Sequence, residues 1–302
     1  MKVFVTGATG FVGSAVVQEL LGAGHKILGL ARSDANAKSL VAAGAEVHRG
    51  SLEDLESLRS GASAADGVIH TAFIHYFVNY GPAAAKDQQA IETLGAALAG
   101  SHRPLIVTSG TLLVQRKGAL AMEDEPAGVN FPRKSEEATD SLAARGVHVS
   151  ALRLPPSVHG NGDHGLVPRL ISIAREKGVS AYVGDGSNRW PAVHRLDAAH
   201  LYRLALEKGS AGAHYHAVGD EGIPFRDIAA AIGRYLNLPV VGKSLEKAAA
   251  HFDWMSHFVA IDSPASYAKT QQQLGWRPTH VGLIADLDRG TYFDAAASAH
   301  AH

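Results

Sequence analysis

The sequence predicts an α/β fold in which a doubly wound parallel sheet is joined by a smaller lobe in the second half of the chain. Two patterns support this prediction. Short apolar, β-branched runs alternate with segments of helical spacing, and a glycine-rich loop separates the first run from the first helix. Apolar strands that alternate with helices are typical of a parallel sheet covered on both faces. Right-handed crossovers then make the sheet doubly wound.

The first half of the chain supplies most of the predicted sheet. Most predicted strands are short runs of Val, Ile and Leu, and the predicted helices repeat apolar residues every three to four positions. The predicted strands span residues 2–5, 26–30, 46–48, 67–70, 105–108 and 147–152. The predicted helices span residues 11–21, 35–43, 52–59, 83–99 and 135–144.

The pattern changes at about Pro155. Turn-forming residues are clustered at 155–156, 160–163 and 184–188. Three more helical segments are predicted at residues 197–207, 225–235 and 263–274. We therefore expect one domain over residues 1–154, and a small lobe over residues 155–302 that is interleaved with the last strands of the sheet. Ligands of open parallel sheets bind beyond the carboxyl ends of the strands, so the substrate is expected in the cleft between sheet and lobe.

Composition and charge exclude several classes of protein. The chain has 302 residues, 46% of them hydrophobic, and a formal net charge of −1, so it lacks the basic surface that nucleic-acid binding needs. Without cysteine it has no disulfide framework, thiolate zinc site or cysteine nucleophile. No window approaches 18 uninterrupted apolar residues and the first residues do not resemble a secretory signal, so no membrane association and a cytoplasmic location are expected.

Two pairs of histidines invite a check for a metal site. His194 and His200 are six residues apart, and His214 and His216 alternate along a strand. Neither pair comes with a third ligand at the spacing of a zinc site, so no metal is expected. We expect a structural role for His194, and Asp197 as the N-cap of the helix that follows.

The glycine-rich loop follows the first strand directly and opens the first helix. It reads Thr6-Gly7-Ala8-Thr9-Gly10-Phe11-Val12-Gly13. In such a loop the first glycine permits a tight turn, the second lets the backbone approach a pyrophosphate, and the third allows close helix–strand packing. The helix N-terminus adds unpaired N–H groups and a positive dipole end. The context predicts a dinucleotide cofactor bound by Gly7, Thr9, Gly10, Phe11, Val12 and Gly13; the alternative is an ordinary turn.

The end of the second strand indicates which dinucleotide is bound. A site for NAD usually has an acidic residue there, which holds the ribose 2′-hydroxyl. Here the strand runs into Arg32, which can pair with a 2′-phosphate, and Ser33, which can hydrogen-bond it. Asp34 is expected to cap the next helix. NADP(H) is therefore predicted over NAD(H), and the alternative is that Arg32 is simply an exposed cation.

Further landmarks follow in order along the chain. They are Leu-Ile-Val-Thr-Ser at 105–109, Leu-Arg-Leu-Pro-Pro-Ser-Val-His-Gly at 152–160, Val-His-Arg-Leu-Asp at 193–197 and Leu-Gly-Trp-Arg-Pro at 274–278. With the glycine loop, these segments resemble the extended short-chain dehydrogenase/reductase family, which includes the NAD-dependent epimerases and dehydratases. The resemblance covers nearly the whole chain. It implies a Rossmann-type domain that binds NAD(P)(H) and a small C-terminal substrate lobe. The cofactor-binding residues that it adds are Ser51, Leu52, Thr71, Ala72 and Pro155.

The chain departs from the family at the catalytic motif. Members usually carry Tyr-x-x-x-Lys, in which the tyrosine transfers a proton while the lysine lowers the tyrosine pKa and holds the nicotinamide ribose. Here Asn130 stands four residues before Lys134, and Val129 stands four residues before Arg133. The usual acid is therefore absent. Arg133 or Lys134 remains a candidate for the ribose contact, with an exposed charge at a helix start as the alternative.

The fifth strand departs from the family as well. Where the family has a serine or threonine that binds the substrate carbonyl, the closest alignment places Gly110. Ser109 and Thr111 are the neighbouring candidates for this role. Alternatively, either hydroxyl satisfies backbone groups at the end of the strand.

A replacement acid is sought in the loops at the same edge of the sheet. The segment after the fourth strand, residues 71–80, is unusually aromatic and carries His75, Tyr76 and Tyr80. His159, in the turn of the family's substrate loop, is the other candidate. The alternative for the aromatic segment is a packed cluster beneath the lobe. We expect His75, Tyr76, Tyr80 or His159 to supply the proton, and no residue of 129–137 to do so.

These observations favour an NADPH-dependent oxidoreductase that transfers a hydride to a small carbonyl or imine-like substrate. One alternative is an NAD(P)-dependent epimerase or dehydratase that acts on a sugar-type substrate. Loss of the tyrosine counts more heavily against that alternative, since an epimerase must deprotonate an alcohol. A second alternative is a non-catalytic regulator that senses NADP(H). A small-molecule substrate is the expected partner, and a homodimer is one possible assembly.

Overall fold

Twelve strands are present in the computed structural model, which describes residues 1–73, 80–129 and 131–293 except for the side chain of His257. They are β1 (Lys2–Thr6), β2 (Lys26–Ala31), β3 (Glu46–Arg49), β4 (Gly67–His70), β5 (Leu105–Gly110), β6 (Val149–Leu154), β7 (Ser157–His159), β8 (Ser180–Val183), β9 (Arg189–His194), β10 (His214–His216), β11 (Asp220–Pro224) and β12 (Val240–Lys243). Seven of them form a parallel sheet in the order β10-β6-β5-β4-β1-β2-β3. The predicted doubly wound sheet is confirmed.

Twelve helices are present in the described part of the chain; some cover both faces of this sheet and the others build the lobe. They are α1 (Phe11–Gly22), α2 (Asp34–Ala43), α3 (Leu55–Ser63), α4 (Tyr80–Leu98), α5 (Ser135–Ala144), α6 (Leu166–Lys177), α7 (Arg195–Lys208), α8 (Phe225–Leu236), α9 (Leu245–Phe252), α10 (Ser256–Val259), α11 (Ala268–Leu274) and α12 (Leu283–Leu287). Successive strand residues point to opposite faces, so Val3 and Val5 pack with α1 and α7, whereas Phe4 packs with α3 and α4. No helix in the described part of the chain is long and apolar enough to cross a bilayer.

The second half of the chain contributes to the sheet and also has a core of its own. β10 is the last strand of the main sheet, and α7 packs against α1. The separate core lies between α6, α8, α9 and the short strands, and includes Trp190, Phe225, Ile232, Phe252 and Leu283. β7, β9 and β11 form one small sheet, and β8 pairs with β12. This arrangement places the lobe next to the strand ends of the main sheet.

Several predicted helix boundaries are wrong for local reasons. The helix predicted over 263–274 begins only at Ala268, because the backbone N–H groups of Ser263 and Ala265 donate to Arg189 and Glu221 in the neighbouring small sheet. The helix predicted over 52–59 begins at Leu55, after Asp54. The helix predicted over 83–99 begins at Tyr80, so this tyrosine belongs to a helix and not to a loop.

Two predicted helix caps are also wrong. Ser33, and not Asp34, caps α2: its hydroxyl accepts the backbone N–H of Asn36 at 3.2 Å. His194, and not Asp197, caps α7 through a bond from the Leu196 N–H to Nδ1. Ser33 and His194 each lie directly before the first helical residue and have an extended backbone. The side chain of each accepts a backbone N–H of the first turn, as an N-cap does.

Candidate cofactor and active site

The site lies where the strand order reverses, between β1 and β4. The chain winds from β1 towards β3, returns to β4 beside β1, and then winds towards β10. Thr6 and His70 are paired at the carboxyl ends of these two central strands. Loops from both halves of the sheet therefore diverge here and leave a crevice, which is where open parallel sheets bind ligands.

The glycine loop has the shape that a pyrophosphate requires. Gly7 has φ +69°, and a Cβ there would lie 2.7 Å from the Ala72 nitrogen. A Cβ on Gly13 would lie 2.0 Å from the Gly7 carbonyl oxygen, so α1 can approach β1 only with glycine at this position. Gly10 differs, because its Cβ would meet only the Gly7 oxygen, at 3.2 Å, and otherwise faces open space above the helix N-terminus. The loop thus fits a dinucleotide pyrophosphate.

The two residues predicted to bind the 2′-phosphate lie directly after β2, and two further predicted cofactor residues, 51 and 52, lie after β3. Arg32 is exposed and makes no hydrogen bond or ion pair within the described residues. Ser33 is engaged in capping α2, and Asn36 links this cap to the glycine loop through a 2.5 Å bond from Nδ2 to the Thr9 hydroxyl. Residues 51 and 52 are half-buried and come shortly after β3. The end of β3 lies beside the end of β2, since the Gly50 N–H donates to the Ala31 oxygen.

A buried polar network occupies the end of β4. His70 donates from Nε2 to Asp87 of α4 at 3.1 Å, and its Nδ1 accepts the Thr6 hydroxyl at 2.8 Å. Arg133 approaches the same carboxylate with Nε at 3.3 Å and donates from Nη2 to the Thr108 oxygen at 2.9 Å. The guanidinium stacks over Phe73 at 4.2 Å from the ring centroid. These contacts fix a cation at the carboxyl ends of β4 and β5.

Tyr80 joins this cluster. Its ring centroid lies 5.6 Å from that of Phe73, and the residue is half-buried. Burial raises the pKa of the Tyr80 phenol, the positive charge of Arg133 opposes that rise, and the charge of Asp87 adds to it. The phenol is therefore protonated at neutral pH, and the charge of Arg133 offsets part of the rise in its pKa. His75 and Tyr76, the other candidates of this segment, lie outside the described residues, as does Asn130.

The remaining predicted cofactor residues divide between the crevice and its surroundings. Thr71 and Ala72 are half-buried and follow β4, where the Thr71 hydroxyl donates to the Thr6 oxygen at 2.7 Å. Pro155 is buried directly after β6. Lys134 turns away from Arg133, since its Nζ donates to the Val129 oxygen and pairs with Glu137 at 3.2 Å. Of the two basic candidates, only Arg133 contacts the end of β5.

The hydroxyls predicted on the fifth strand are both buried. Ser109 donates its hydroxyl to Glu136, which in turn pairs with Arg153 at 2.6 Å. Thr111 lies in a 3-10 turn after β5, and its hydroxyl has no hydrogen-bond partner among the described residues. A buried hydroxyl that is already bonded to a carboxylate is a poor donor to a substrate, so Ser109 is less suited to that role than Thr111.

His159 lies in a different cluster. It is fully buried on β7, contacts Asp286 of α12 through Nδ1 at 2.9 Å, and packs edge-on against His194 at 5.3 Å. Its Nε2 has no partner within the described residues. His194 in turn stacks on His280 at 4.6 Å. No group of three or more metal-ligating side chains is arranged around an ion position in the described part of the chain.

Three residues of the site escaped the sequence analysis: His70 and Asp87 in the network at the end of β4, and Asn36 beside the glycine loop. Asp87 carried a usable signal, because it lies on the buried face of α4, in line with Ala83, Ala90 and Ile91. A carboxylate on an otherwise apolar helix face requires a buried partner. The sequence does not show which partner that is, since His70 and Arg133 come from segments 17 and 46 residues away.

A second buried network, behind Ser109, makes stability depend on pH. Arg153 donates from Nη1 to Nε2 of His216 at 3.1 Å, and His216 donates from Nδ1 to the Ser266 oxygen at 2.7 Å. Both ring nitrogens are thus used in the neutral form. Burial, and then the Arg153 charge, lowers the pKa of His216 from 6.5 to about 3. Below pH 6.5 the unfolded chain binds a proton at this position that the folded protein excludes, so stability falls as the pH falls.

We therefore expect His216 to contribute one proton to acid unfolding between pH 6.5 and about 3, or about 1.4 kcal/mol of unfolding free energy per pH unit. In His216→Gln the amide can still donate and accept but does not titrate. Urea unfolding at several pH values should show a slope shallower by about one proton. His102→Gln, at an exposed position, serves as the control and should keep the wild-type slope. An unchanged slope in His216→Gln would assign the acid sensitivity to other groups.

Comparison with known proteins agrees with this geometry. The family model "NAD dependent epimerase/dehydratase family" matches residues 3–97. An uncharacterized protein of Schizosaccharomyces pombe is 51% identical over 97% of this chain and 100% of its own length. A 2-alkyl-3-oxoalkanoate reductase of Stenotrophomonas maltophilia is 28% identical over 81% of this chain and 78% of its own length. The crystal structure of dTDP-glucose 4,6-dehydratase from Streptomyces venezuelae has the same fold, with a TM-score of 0.77, 21% identity and 97% of each chain covered. The chain therefore belongs to the NAD-dependent epimerase/dehydratase family.

Proposed function

We propose that the protein is an NADPH-dependent reductase of small carbonyl or imine-like substrates. The observation that carries this proposal is the cluster of Tyr80, Phe73 and Arg133 at the carboxyl ends of β4 and β5. The ring of Tyr80 and the guanidinium of Arg133 both pack against Phe73, and the bond between His70 and Thr6 links this cluster to the first residue of the glycine loop. The similarity to a 2-alkyl-3-oxoalkanoate reductase supports reduction as the reaction.

In this proposal Tyr80 takes the part of the tyrosine that is missing from the usual motif. The nicotinamide cofactor, when bound, supplies the hydride. Tyr80 donates its phenolic proton to the carbonyl oxygen as the C=O π bond opens, and the phenolate that remains is reprotonated from solvent. Arg133 stabilises the negative charge on the oxygens during this transfer. His70 and Asp87 do not touch the substrate but hold the guanidinium in place.

Phe73 has two roles in this site. Its ring supports the guanidinium of Arg133 at 4.2 Å and packs against Tyr80 at 5.6 Å. It also presents an apolar surface at the crevice, which lowers the local dielectric and strengthens the interaction between the phenolate and the cation. A small substrate with an apolar part would therefore fit this side of the crevice.

The proposal is tested by incubating the purified protein with NADPH and a panel of aldehydes, ketones and cyclic imines. We expect NADPH oxidation with formation of an equal amount of alcohol or amine. Conversion of a sugar nucleotide without net consumption of NADPH would instead indicate the epimerase or dehydratase. Tight NADPH binding without turnover of any substrate would indicate a cofactor-sensing regulator.

NADPH preference is proposed to depend on Arg32. If the exposed guanidinium pairs with the 2′-phosphate, Arg32→Ala should weaken NADPH binding by roughly 1.5–3 kcal/mol, the range for a hydrogen bond to a charged group. NADH lacks that phosphate, so its affinity should barely change. Titration calorimetry with both cofactors measures the difference, and Lys38→Ala on the exposed face of α2 is the control. Equal losses for the two cofactors would contradict the NADP assignment.

A further inference from the structure

Arg195 is a half-buried cation that lies beside the glycine loop. It is the first residue of α7, and its Cζ lies 5.0 Å from the centroid of the Phe11 ring, at the start of α1. Its Nη1 donates to the Asn161 oxygen at 3.0 Å. Its aliphatic stem passes so close to Gly160 that a Cβ there would lie 3.2 Å from Cγ. The side chain is thus directed across the turn after β7 towards the N-terminus of α1.

The charge of Arg195 is not matched by the protein itself. Within the described residues it forms no ion pair, and its Nη2 and Nε make no hydrogen bond. Three other arginines that are withdrawn from solvent have carboxylate partners: Arg133 with Asp87, Arg153 with Glu136 and Arg203 with Glu19. Arg103 has no carboxylate partner, but its guanidinium donates to the backbone oxygens of residues 62, 65 and 97. Burial lowers the pKa of Arg195, so the charged form is partly desolvated without compensation. An anion is the missing partner.

The position of Arg195 indicates which anion. Phe11 is the first residue of the helix whose N-terminus faces the space above Gly10, where the pyrophosphate fits. We propose that Arg195 binds the pyrophosphate of the dinucleotide cofactor from the second half of the chain, opposite the glycine loop. This inference rests on the cofactor use in the proposed function. The two unused donors match a phosphate oxygen pair, which arginine binds in a bidentate manner.

The same residue would link the cofactor to the substrate lobe. Arg195 holds the turn that follows β7 through Asn161, and His164 of that turn packs edge-on against Phe11 at 5.7 Å. The turn therefore lies over the start of α1 and contacts the glycine loop from the opposite side. A pyrophosphate bound by Arg195 would be enclosed between the two halves of the chain.

The test uses ADP, which carries the pyrophosphate without the nicotinamide or the 2′-phosphate. In Arg195→Met the aliphatic stem is retained, but the charge and the donors are lost. We expect ADP, NADH and NADPH each to bind about 10- to 100-fold more weakly in titration calorimetry. Arg195→Lys keeps the charge but lacks the planar guanidinium, so its affinity for these ligands should lie between those of the wild type and Arg195→Met. Arg203→Met is the control, because it removes a cation of the same helix that pairs with Glu19.

The outcomes separate this inference from the proposed function. The pyrophosphate role of Arg195 is overturned if a folded Arg195→Met protein binds ADP with unchanged affinity. It is also overturned if only the affinity for NADPH falls, or if Arg203→Met loses as much ADP affinity as Arg195→Met. If thermal unfolding shows that Arg195→Met does not fold, the ADP affinity of Arg195→Lys is used instead: a lower affinity than that of the wild type supports the role, and an unchanged affinity overturns it. A wild-type protein that binds neither ADP nor a dinucleotide overturns both proposals. A wild-type protein that reduces no carbonyl overturns the reductase alone, and weaker ADP binding in Arg195→Met still supports the pyrophosphate role.

Discussion

Replacing Tyr80 by phenylalanine should lower kcat by about 10²- to 10⁴-fold, the usual contribution of general-acid catalysis. The substitution removes only the hydroxyl, so the contact with Phe73 and the start of α4 are kept. NADPH affinity should change little, because the phenol is proposed to face the substrate and not the dinucleotide. Steady-state kinetics with the best substrate of the panel, together with NADPH titration, measures both quantities.

The control for this prediction is Tyr182→Phe, a half-buried tyrosine on β8 in the lobe, which should keep the wild-type kcat. His75→Phe, Tyr76→Phe and His159→Phe test the other candidates. If Tyr80→Phe retains its activity and one of these three loses it, the proton source is reassigned to that residue. If all four variants remain active, the segment is only a wall, and hydride transfer depends on positioning with the proton taken from water.

Arg133 provides a further test of the same cluster. Arg133→Lys keeps the positive charge but loses the planar contact with Phe73 and the geometry of the bonds to Asp87 and Thr108. If the cation stabilises the phenolate of Tyr80, the pH–rate profile should shift in this variant, whereas a purely structural role would lower stability without moving the profile.

The sheet and the glycine loop could be predicted because their determinants are local. Apolar β-branched runs and helical spacing are properties of short segments, and the loop from Thr6 to Gly13 lies within one strand–turn–helix unit. The steric requirement at Gly13 comes mainly from Gly7 of the same loop, whereas the nearest atoms to a Cβ on Gly7 belong to residues 71–72 after β4. Errors at helix ends, such as Asp34 for Ser33, arose because either side chain could serve as a cap by type.

The proposed catalytic cluster could be predicted only in part because its determinants are distant in sequence. Tyr80 was a candidate because of its residue type and its place in an aromatic segment. Its contact with the Phe73 ring, which Arg133 also contacts, depends on α4 lying beside the end of β5. Asp87 joins His70 and Arg133 across two elements, and no spacing rule connects those three positions. Arg195 is a further case, since its relation to Phe11 exists only because α7 packs on α1.

Replacing Gly10 by valine should abolish dinucleotide binding while the fold persists. The backbone at Gly10 is extended, with φ −75° and ψ 174°, so a β-branched residue is not strained there. Its Cβ would approach only the Gly7 oxygen, at 3.2 Å, and the two methyl groups would fill the space that the pyrophosphate needs.

Gly13→Ala offers the opposite case, because its Cβ would lie 2.0 Å from the Gly7 oxygen, so it should lower the unfolding temperature. Gly22→Val, where no atom lies within 4 Å of an added Cβ, is the control. Calorimetry with NADPH and thermal unfolding of all three variants distinguish the effects, and a Gly10→Val protein that binds NADPH like the wild type would show that the loop is only a turn.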